Sequence, residues 1–360
     1  MSIKYKWLAG KLKEMTEKYR NAGIEKLPTE QELCSRYHVS RQTVRQALSI
    51  LEDSRLIVRR QGSGSYITGL STDPSRNTIS VLISDDQEYI YPGVLSDIRS
   101  ELDKNGFSCR VHITGNRTET EYQILLGLLD TPPLGVIAEG CKSALPSPNL
   151  DLYRRLVKKG TSVVFLHNYY PALQDSLYVK DDNTGGSAML VRHLAERGHI
   201  SIGGIFKTDD LQGIERYQGF VETMRALHLN TADEKIGWFD SRDQYALETS
   251  RNASFLRAVA KEALSSCTAV VCYNDMIAYY LMQELRQAGY RLPEDMAVAA
   301  FDNTYLSSYG PVSVTTLSHK PHEMGTLAAR TLIQRIKGLP ANPQEVPWKL
   351  NLKESTAHSV

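Results

Sequence analysis

Apolar residues fall into two rhythms along this chain. Over about the first 70 positions they recur at helical spacing, and from Thr78 onward short β-branched runs alternate with longer amphipathic stretches. Residues 4–20 carry Tyr5, Leu8, Leu12, Met15 and Tyr19 on one side and lysines elsewhere, which predicts a first helix packed behind the next two. Thr29 with Glu32 has the Thr-x-x-Glu form of a capping box, so a second helix starts there, with Leu33 and Tyr37 on its apolar face. His38-Val39-Ser40 is a brief polar break, and Ser40 is a good cap for a third helix. Val44, Ala47, Leu48 and Leu51 lie at i, i+3, i+4 and i+7 of that helix and face inward. Ile57–Arg60 and Tyr66–Thr68 then read as two short strands around the glycine turn Gln61-Gly62-Ser63-Gly64-Ser65.

Residues 68–77, TGLSTDPSRN, are polar with Gly and Pro and read as a linker. Strands are expected near 79–83, 108–113, 134–138, 162–166, 177–179, 201–206, 235–239, 269–272, 297–301 and 313–317. Helices are expected near 93–104, 119–130, 150–159, 184–197, 211–228, 244–264, 275–288 and 321–337. Alternation of this kind predicts mostly parallel sheets covered by helices on both faces. Roughly 280 residues exceed a single core, so two such lobes are expected. The organisation is then a head at 1–68, a linker at 69–77 and an α/β body at 78–360.

Charge sharpens this division. The whole chain of 360 residues has a formal net charge of +1, which favours no partner. Residues 1–70, however, hold 13 Lys+Arg against 7 Asp+Glu, and the remainder 29 against 34. A basic small head on a mildly acidic body fits a DNA-reading module joined to one that stays off DNA. The five cysteines are scattered and none forms a C-x-x-C pair, so they read as reduced thiols of a cytoplasmic protein. No apolar run is long enough for a secretory segment or a membrane span.

The third helix turns Gln42, Thr43, Arg45 and Gln46 away from its apolar stripe, with Arg41 at the edge. A solvated helix face has the same composition. Yet Arg suits guanine edges, Gln suits adenine edges, and a helix fits the major groove of duplex DNA. The basic strands beside it complete a helix-turn-helix with a wing. These residues resemble the winged helix-turn-helix of GntR-family transcription factors, on LPTEQEL, RQTVRQAL and the wing RRQGSGSYI. Two departures are visible: Arg55 stands where that pattern has glycine, and the segment from Asn21 to Lys26 is shorter. DNA contacts are expected from Thr29, Ser40, Arg41, Gln42, Thr43, Arg45, Gln46, Gln61, Gly62, Ser63 and Gly64.

In open α/β sheets ligands bind beyond the carboxyl ends of the strands. Polar residues collect there: Glu139, His167 and Asn168, Asp209 and Asp210, Asn274 and Asp275, Asp302 and Asn303, and His319. One Asp or Asn in such a place is an ordinary helix cap. Six such ends, together with Arg216, match what vicinal hydroxyls require, and Tyr91, Tyr169, Tyr170 and Trp238 can either pack in the core or cover a sugar ring. RHLAERGHISIGGI, ERYQGF and VVCYNDMIAYYLMQELRQAGYRLPEDMAVAAFDN resemble the effector domain of the LacI/GalR regulators, itself similar to periplasmic sugar-binding proteins. That resemblance implies two lobes crossed by three strands, a ligand in the cleft, and dimerisation through the body. It also implies polar ligand contacts from Arg216, Asp275 and Asp302, with Asn274 adjoining and Trp238 as a stacking residue.

Head and body together resemble the L-arabinose-responsive repressors of low-GC Gram-positive bacteria, on YIYP at 89–92, EGCKSAL at 139–145 and GIFKTDDLQG at 204–213. The last of these implies Lys207, Asp209 and Gln212 near the cleft, and Tyr91, Glu139 and His319 complete the candidate effector set. The expected function is sugar-released repression, with L-arabinose as effector, or another sugar or a nucleoside in a regulator of the same layout. The expected partners are operator DNA, the small sugar and a second copy of the chain. An enzyme is not expected: G-x-S-x-G, H-E-x-x-H and G-x-x-x-x-G-K-S/T are all missing, and no cofactor or metal is called for. A periplasmic-type sugar receptor is disfavoured by the basic head and the lack of a secretory segment.

Overall fold

The computed structural model describes residues 4–357 apart from 22–23, 25, 55, 61–62, 68–76 and 88. The linker assigned to 69–77 thus falls, but for Asn77, outside the described residues, as do Gln61, Gly62 and Arg55.

In the head, α1 (Lys4–Asn21), α2 (Glu30–Tyr37) and α3 (Arg41–Asp53) precede a hairpin of β1 (Ile57–Arg60) and β2 (Gly64–Ile67). The Thr29–Glu32 capping box forms in full, and Ser40 accepts from the Thr43 backbone N–H. His38 ends α2 in the left-handed conformation, φ 50°, which lets the chain reverse in so few residues. Val44, Ala47, Leu48 and Leu51 are buried against Leu8, Leu12, Leu33 and Ile57. Gly64, at φ +116°, closes the wing turn where a side chain would be strained.

The body comprises two parallel-sheet lobes. The first takes β3 (Thr78–Ile83), α4 (Tyr91–Lys104), β4 (Ser108–Ile113), α5 (Thr118–Asp130), β5 (Gly135–Ala138), α6 (Leu150–Lys158), β6 (Ser162–His167) and β7 (Leu177–Asp181). The second takes α7 (Asn183–Glu196), β8 (Ile202–Lys207), α8 (Leu211–Ala226), β9 (Ile236–Phe239), α9 (Ser241–Ser250), α10 (Ser254–Lys261), β10 (Ala269–Cys272), α11 (Asp275–Gln287), β11 (Ala297–Phe301), α12 (Leu306–Tyr309) and β12 (Thr315–Ser318). The chain then returns for α13 (Glu323–Ile336) and β13 (Gln344–Val346) in the first lobe and ends with β14 (Lys349–Asn351) in the second. Strand orders are β13-β7-β6-β5-β3-β4 and β14-β12-β11-β10-β8-β9, parallel except for β14, which runs antiparallel to β12. Such sheets need apolar strands on both faces, and β5, β8, β10 and β11 are buried throughout. Three segments join the lobes: residues 181–183, 318–323 and 346–349.

Two expectations need correction. The single helix foreseen over 244–264 is two, because Arg251 turns left-handed at φ 55° and caps α9, and Asn252 accepts from the Ser254 N–H in a local turn. β13 and β14 were not foreseen. Three-residue strands carry no readable period, and these exist only because β7 and β12 offer unpaired edges.

Candidate functional site

On the head, α3 exposes Arg41, Gln42, Arg45 and Gln46, the face opposite its buried stripe. Thr29 and Ser40 are exposed but are already engaged as caps. Glu30 organises the cations: its carboxylate accepts from Arg45 Nε at 3.0 Å and from Arg59 at 3.3 Å, tying the third helix to the wing. Ser63 hydrogen-bonds the Tyr66 hydroxyl at 2.7 Å, and Lys26 lies 5.5 Å above the Tyr66 ring. The face presents guanidinium and carboxamide groups on a helix, an element that fits the major groove.

Between the lobes of the body lies a cavity of about 860 Å³, walled by the carboxyl ends of the strands. On the first-lobe side, Glu139 accepts from the Ser84 backbone N–H at 2.9 Å, from the Ser84 hydroxyl at 2.5 Å and from the Tyr91 hydroxyl at 3.1 Å. On the second-lobe side, Lys207 lies 3.2 Å from Asp210, which also accepts from the Tyr273 hydroxyl at 2.7 Å. Arg216 is 4% exposed. It donates to Asn183 at 2.9 Å and to the Tyr273 carbonyl at 2.5 Å, stands 3.7 Å from Asp302, and stacks on Tyr273, Phe301 and Trp348. Gly213 makes this wall possible. A Cβ there would sit 2.1 Å from the Lys207 carbonyl oxygen, so only glycine lets the first turn of α8 close onto β8 and aim Gln212 and Arg216 at the cleft.

The lobes are closed over the cavity by direct contacts. The Tyr89 hydroxyl donates to Asp302 at 2.6 Å, Asn116 donates to Ser241 at 2.8 Å, and the Leu211 N–H donates to Ser143 at 3.0 Å. Several wall residues hold strained backbone: Tyr89, Lys142, His167 and Asp302 have φ of 63°, 45°, 63° and 93°. Each such conformation costs on the order of 1–3 kcal/mol and persists only where packing over-determines it, as at binding sites. Electrostatics follow from burial. Burial raises Asp302 above the ordinary carboxylate range although Arg216 opposes it, and burial with the repulsion of Asp302 pushes Asp275 up to about 7. Lys207 loses solvation, but the Asp210 and Asp209 carboxylates outweigh that and raise it. The cavity therefore offers buried donors and acceptors over tyrosine faces, a lining suited to a small polyol.

Residues 4–67 match the model of the gntR family of bacterial regulatory proteins, and residues 191–356 that of the periplasmic binding protein-like domain. The chain is 31% identical over 318 residues to the arabinose metabolism transcriptional repressor of Halalkalibacterium halodurans, covering 87% of this chain and 84% of that one. It is 32% identical over 315 residues to the protein of the same name from Geobacillus stearothermophilus, covering 87% and 85%. The chain belongs to this repressor family. Its body also overlays a periplasmic binding protein/LacI transcriptional regulator from Alkaliphilus metalliredigens solved with D-xylulofuranose, at TM-score 0.65, 21% identity, and coverage of 79% of this chain and 99% of that one. That likeness establishes the fold.

Within this family member, the structure brings Tyr91, Glu139, Lys207, Gln212, Arg216, Asn274 and Asp302 together on the cavity wall. Asn274 is there partly as a helix cap, its side chain accepting from the Ile277 N–H at 3.0 Å. Four others are placed elsewhere. Asp275 is fully buried behind the wall, bonded to Thr304 and Thr316. Trp238 packs on Tyr217 and Phe206 on the α8 side of the sheet and is 40% exposed. Asp209 sits at the lobe seam, where it accepts from the Ser241 N–H and lies 3.8 Å from Lys142. His319 is at a lobe crossing, against Asp181. Of the remaining aromatics, Tyr169 stacks on Tyr178, and Tyr170 is a core residue bonded to Glu121. The wall also includes Tyr89, Asn116, Asp181 and Tyr273, which were not in the expected contact set. Tyr89 opens the YIYP stretch that also holds Tyr91, and Tyr273 directly precedes Asn274 at a strand end, so the signals that flagged their neighbours also reach them. Asn116 carries no signal of its own. Among the described residues no helix is long and apolar enough to cross a membrane.

Proposed function

We propose that this chain is a transcriptional repressor that holds operator DNA through its head and releases it when a sugar, L-arabinose, occupies the cleft between the lobes. The observation that carries the reading is the kinship, over 87% of the chain, with two arabinose metabolism transcriptional repressors, taken with an inter-lobe cavity lined by Glu139, Lys207, Arg216 and Asp302. The carboxylates accept from sugar hydroxyls, Lys207 and Arg216 donate to them, and the tyrosines cover the apolar ring face. A homodimer presents two heads to half-sites separated by a helical turn or a multiple of one. Sugar and DNA then oppose each other reciprocally: each weakens the other by one common factor.

Titration of a labelled operator, selected from genomic fragments by the protein itself, tests this. With L-arabinose present the apparent affinity for the operator should fall. Unchanged affinity with L-arabinose, alongside a fall with another pentose, a hexose or a nucleoside, would reassign the effector and leave the architecture standing. Sedimentation of the free chain as a monomer at operator-binding concentrations would remove the dimer.

A further inference from the structure

The two lobes are joined along one edge of their sheets and touch along the other. The three crossings follow β7, follow β12 and run from β13 to β14, and these four strands open the order of each sheet. β4 and β9 stand at the opposite ends of those orders. A strand spacing of about 4.8 Å puts that far edge roughly 20 Å from the crossings. There the loops after β4, β5, β8 and β9 bring together Asn116, Lys142, Asp209 and Ser241. Lys142 and Asp209 belong to EGCKSAL and GIFKTDDLQG, two stretches that the sequence singles out.

Their contacts close into a ring. Within the first lobe the Lys142 N–H donates to Asn116 Oδ1 at 2.8 Å, and within the second the Ser241 N–H donates to Asp209 Oδ2 at 3.2 Å. Across the seam Asn116 Nδ2 donates to the Ser241 hydroxyl at 2.8 Å, and Lys142 Nζ lies 3.8 Å from Asp209 Oδ2. A backbone N–H only donates, so the Lys142 bond fixes which end of the Asn116 amide faces Ser241. Asn116 and Lys142 both hold left-handed backbone, at φ 52° and 45°, a conformation that persists in such residues where the surroundings impose it. Each lobe thus carries one preassembled half. Opening the lobes leaves both halves intact and breaks only the two contacts between them. At that distance from the crossings an opening of about 10° parts the halves by roughly 3–4 Å, which ends both contacts. Every contact of the ring has both ends in the protein, so the ring favours closure with or without a ligand.

We propose that Asn116, Lys142, Asp209 and Ser241 form a clasp at the edge away from the crossings, and that its strength sets the fraction of the chain whose lobes are closed. They are positioning residues for the cleft. A ligand that needs closed lobes binds with an apparent affinity scaled by that fraction. The consequence for L-arabinose rests on the sugar-cleft reading above, whereas the clasp does not.

The Leu211 amide reports the clasp. Leu211 opens α8, so its N–H has no acceptor within the helix, and it donates instead to the Ser143 hydroxyl across the seam. Asn116→Gly removes the side chain and tolerates the left-handed backbone, and Ser241→Ala removes only the hydroxyl. In the full-length protein without ligand, each should speed hydrogen exchange at Leu211 about fivefold, while amides of β8 and β10 keep their rates. Ser241→Thr keeps the hydroxyl and should leave Leu211 as in the unaltered chain. The double variant should exchange little faster than Asn116→Gly alone, since the two changes share one bond. Saturating L-arabinose should slow Leu211 again in every variant, and calorimetry should show its affinity lowered by no more than the factor seen in exchange. Unchanged exchange at Leu211 in both single variants overturns the clasp, as does faster exchange that extends to β8 and β10. A loss of sugar affinity without faster exchange makes Asn116 a ligand contact and overturns it too. Lack of L-arabinose binding by the unaltered chain is a different failure: it removes the sugar reading, and the exchange rates without ligand still decide the clasp.

Discussion

Head and body place their chemistry in opposite ways. The head's candidate reading groups, Arg41, Gln42, Arg45 and Gln46, come from six consecutive residues and stand on an exposed helix face, with Arg45 tied to one carboxylate, Glu30. The body's groups reach from Ser84 to Asp302, face a buried cavity, and are fixed by strained backbone and by partners on other strands. An exposed helix face suits a partner that arrives as a long polyanion, because its charges stay solvated until binding. A buried polar cavity must instead be assembled before any ligand comes, since each unpaired donor or acceptor there costs desolvation free energy. Each region is therefore fragile in its own way: the head in its affinity for a partner, the body in its own fold.

Arg216→Ala should expose that contrast most strongly. The guanidinium offsets buried Asp302 and fills the stack of Tyr273, Phe301 and Trp348, so its loss should destabilise the body by roughly 3–5 kcal/mol. Denaturant melts should show it, with the head's DNA binding at low salt retained. If the body melts normally, its site is not structural in this sense. Next, Arg45→Ala should leave the melt almost unchanged and cost roughly 1–3 kcal/mol at operator DNA. An equal loss on random DNA would make Arg45 a phosphate contact.

A third test uses pH. Asp275 rises from 3.8 in the unfolded chain to about 7 in the fold, so the folded state holds the proton more tightly. Body stability should therefore fall as pH rises from about 4 to about 7 through this group, and level off above. Asp275→Asn should flatten that part of the profile, as measured by chemical denaturation at pH 5 and pH 8. The smallest effect belongs to Thr29→Ala, which removes a cap from α2 and should lower head stability by about 1 kcal/mol while the body melt stays fixed.

How much of this could be read from the residues also divides along the same line. Val44, Ala47, Leu48 and Leu51 announce the inward face of α3, and the remaining face follows by subtraction. In the body, the polar groups at strand ends announce a site, but not its membership. Asp275 and Asp302 look alike in sequence, yet one is tied to Thr304 and Thr316 behind the wall and the other stands in it. Trp238 invites a stacking role until the pleat of β9 turns it toward Tyr217. Lys207 and Asp209 are two residues apart on one segment, but Lys207 lines the cavity and Asp209 braces the seam.

The winged head, its exposed candidate reading face, the alternating βα body and the kinship with arabinose metabolism repressors are all written in the residues themselves. They rest on local periods, caps and contiguous motifs, which are properties of neighbours along the chain. Folding in three dimensions settles the rest: which polar strand ends share one cavity, that loops of both lobes meet at Asn116, Lys142, Asp209 and Ser241, and that short edge strands complete each sheet. Those depend on which distant segments come within a few ångströms of each other, and hydrogen bonds and desolvation act only at that range.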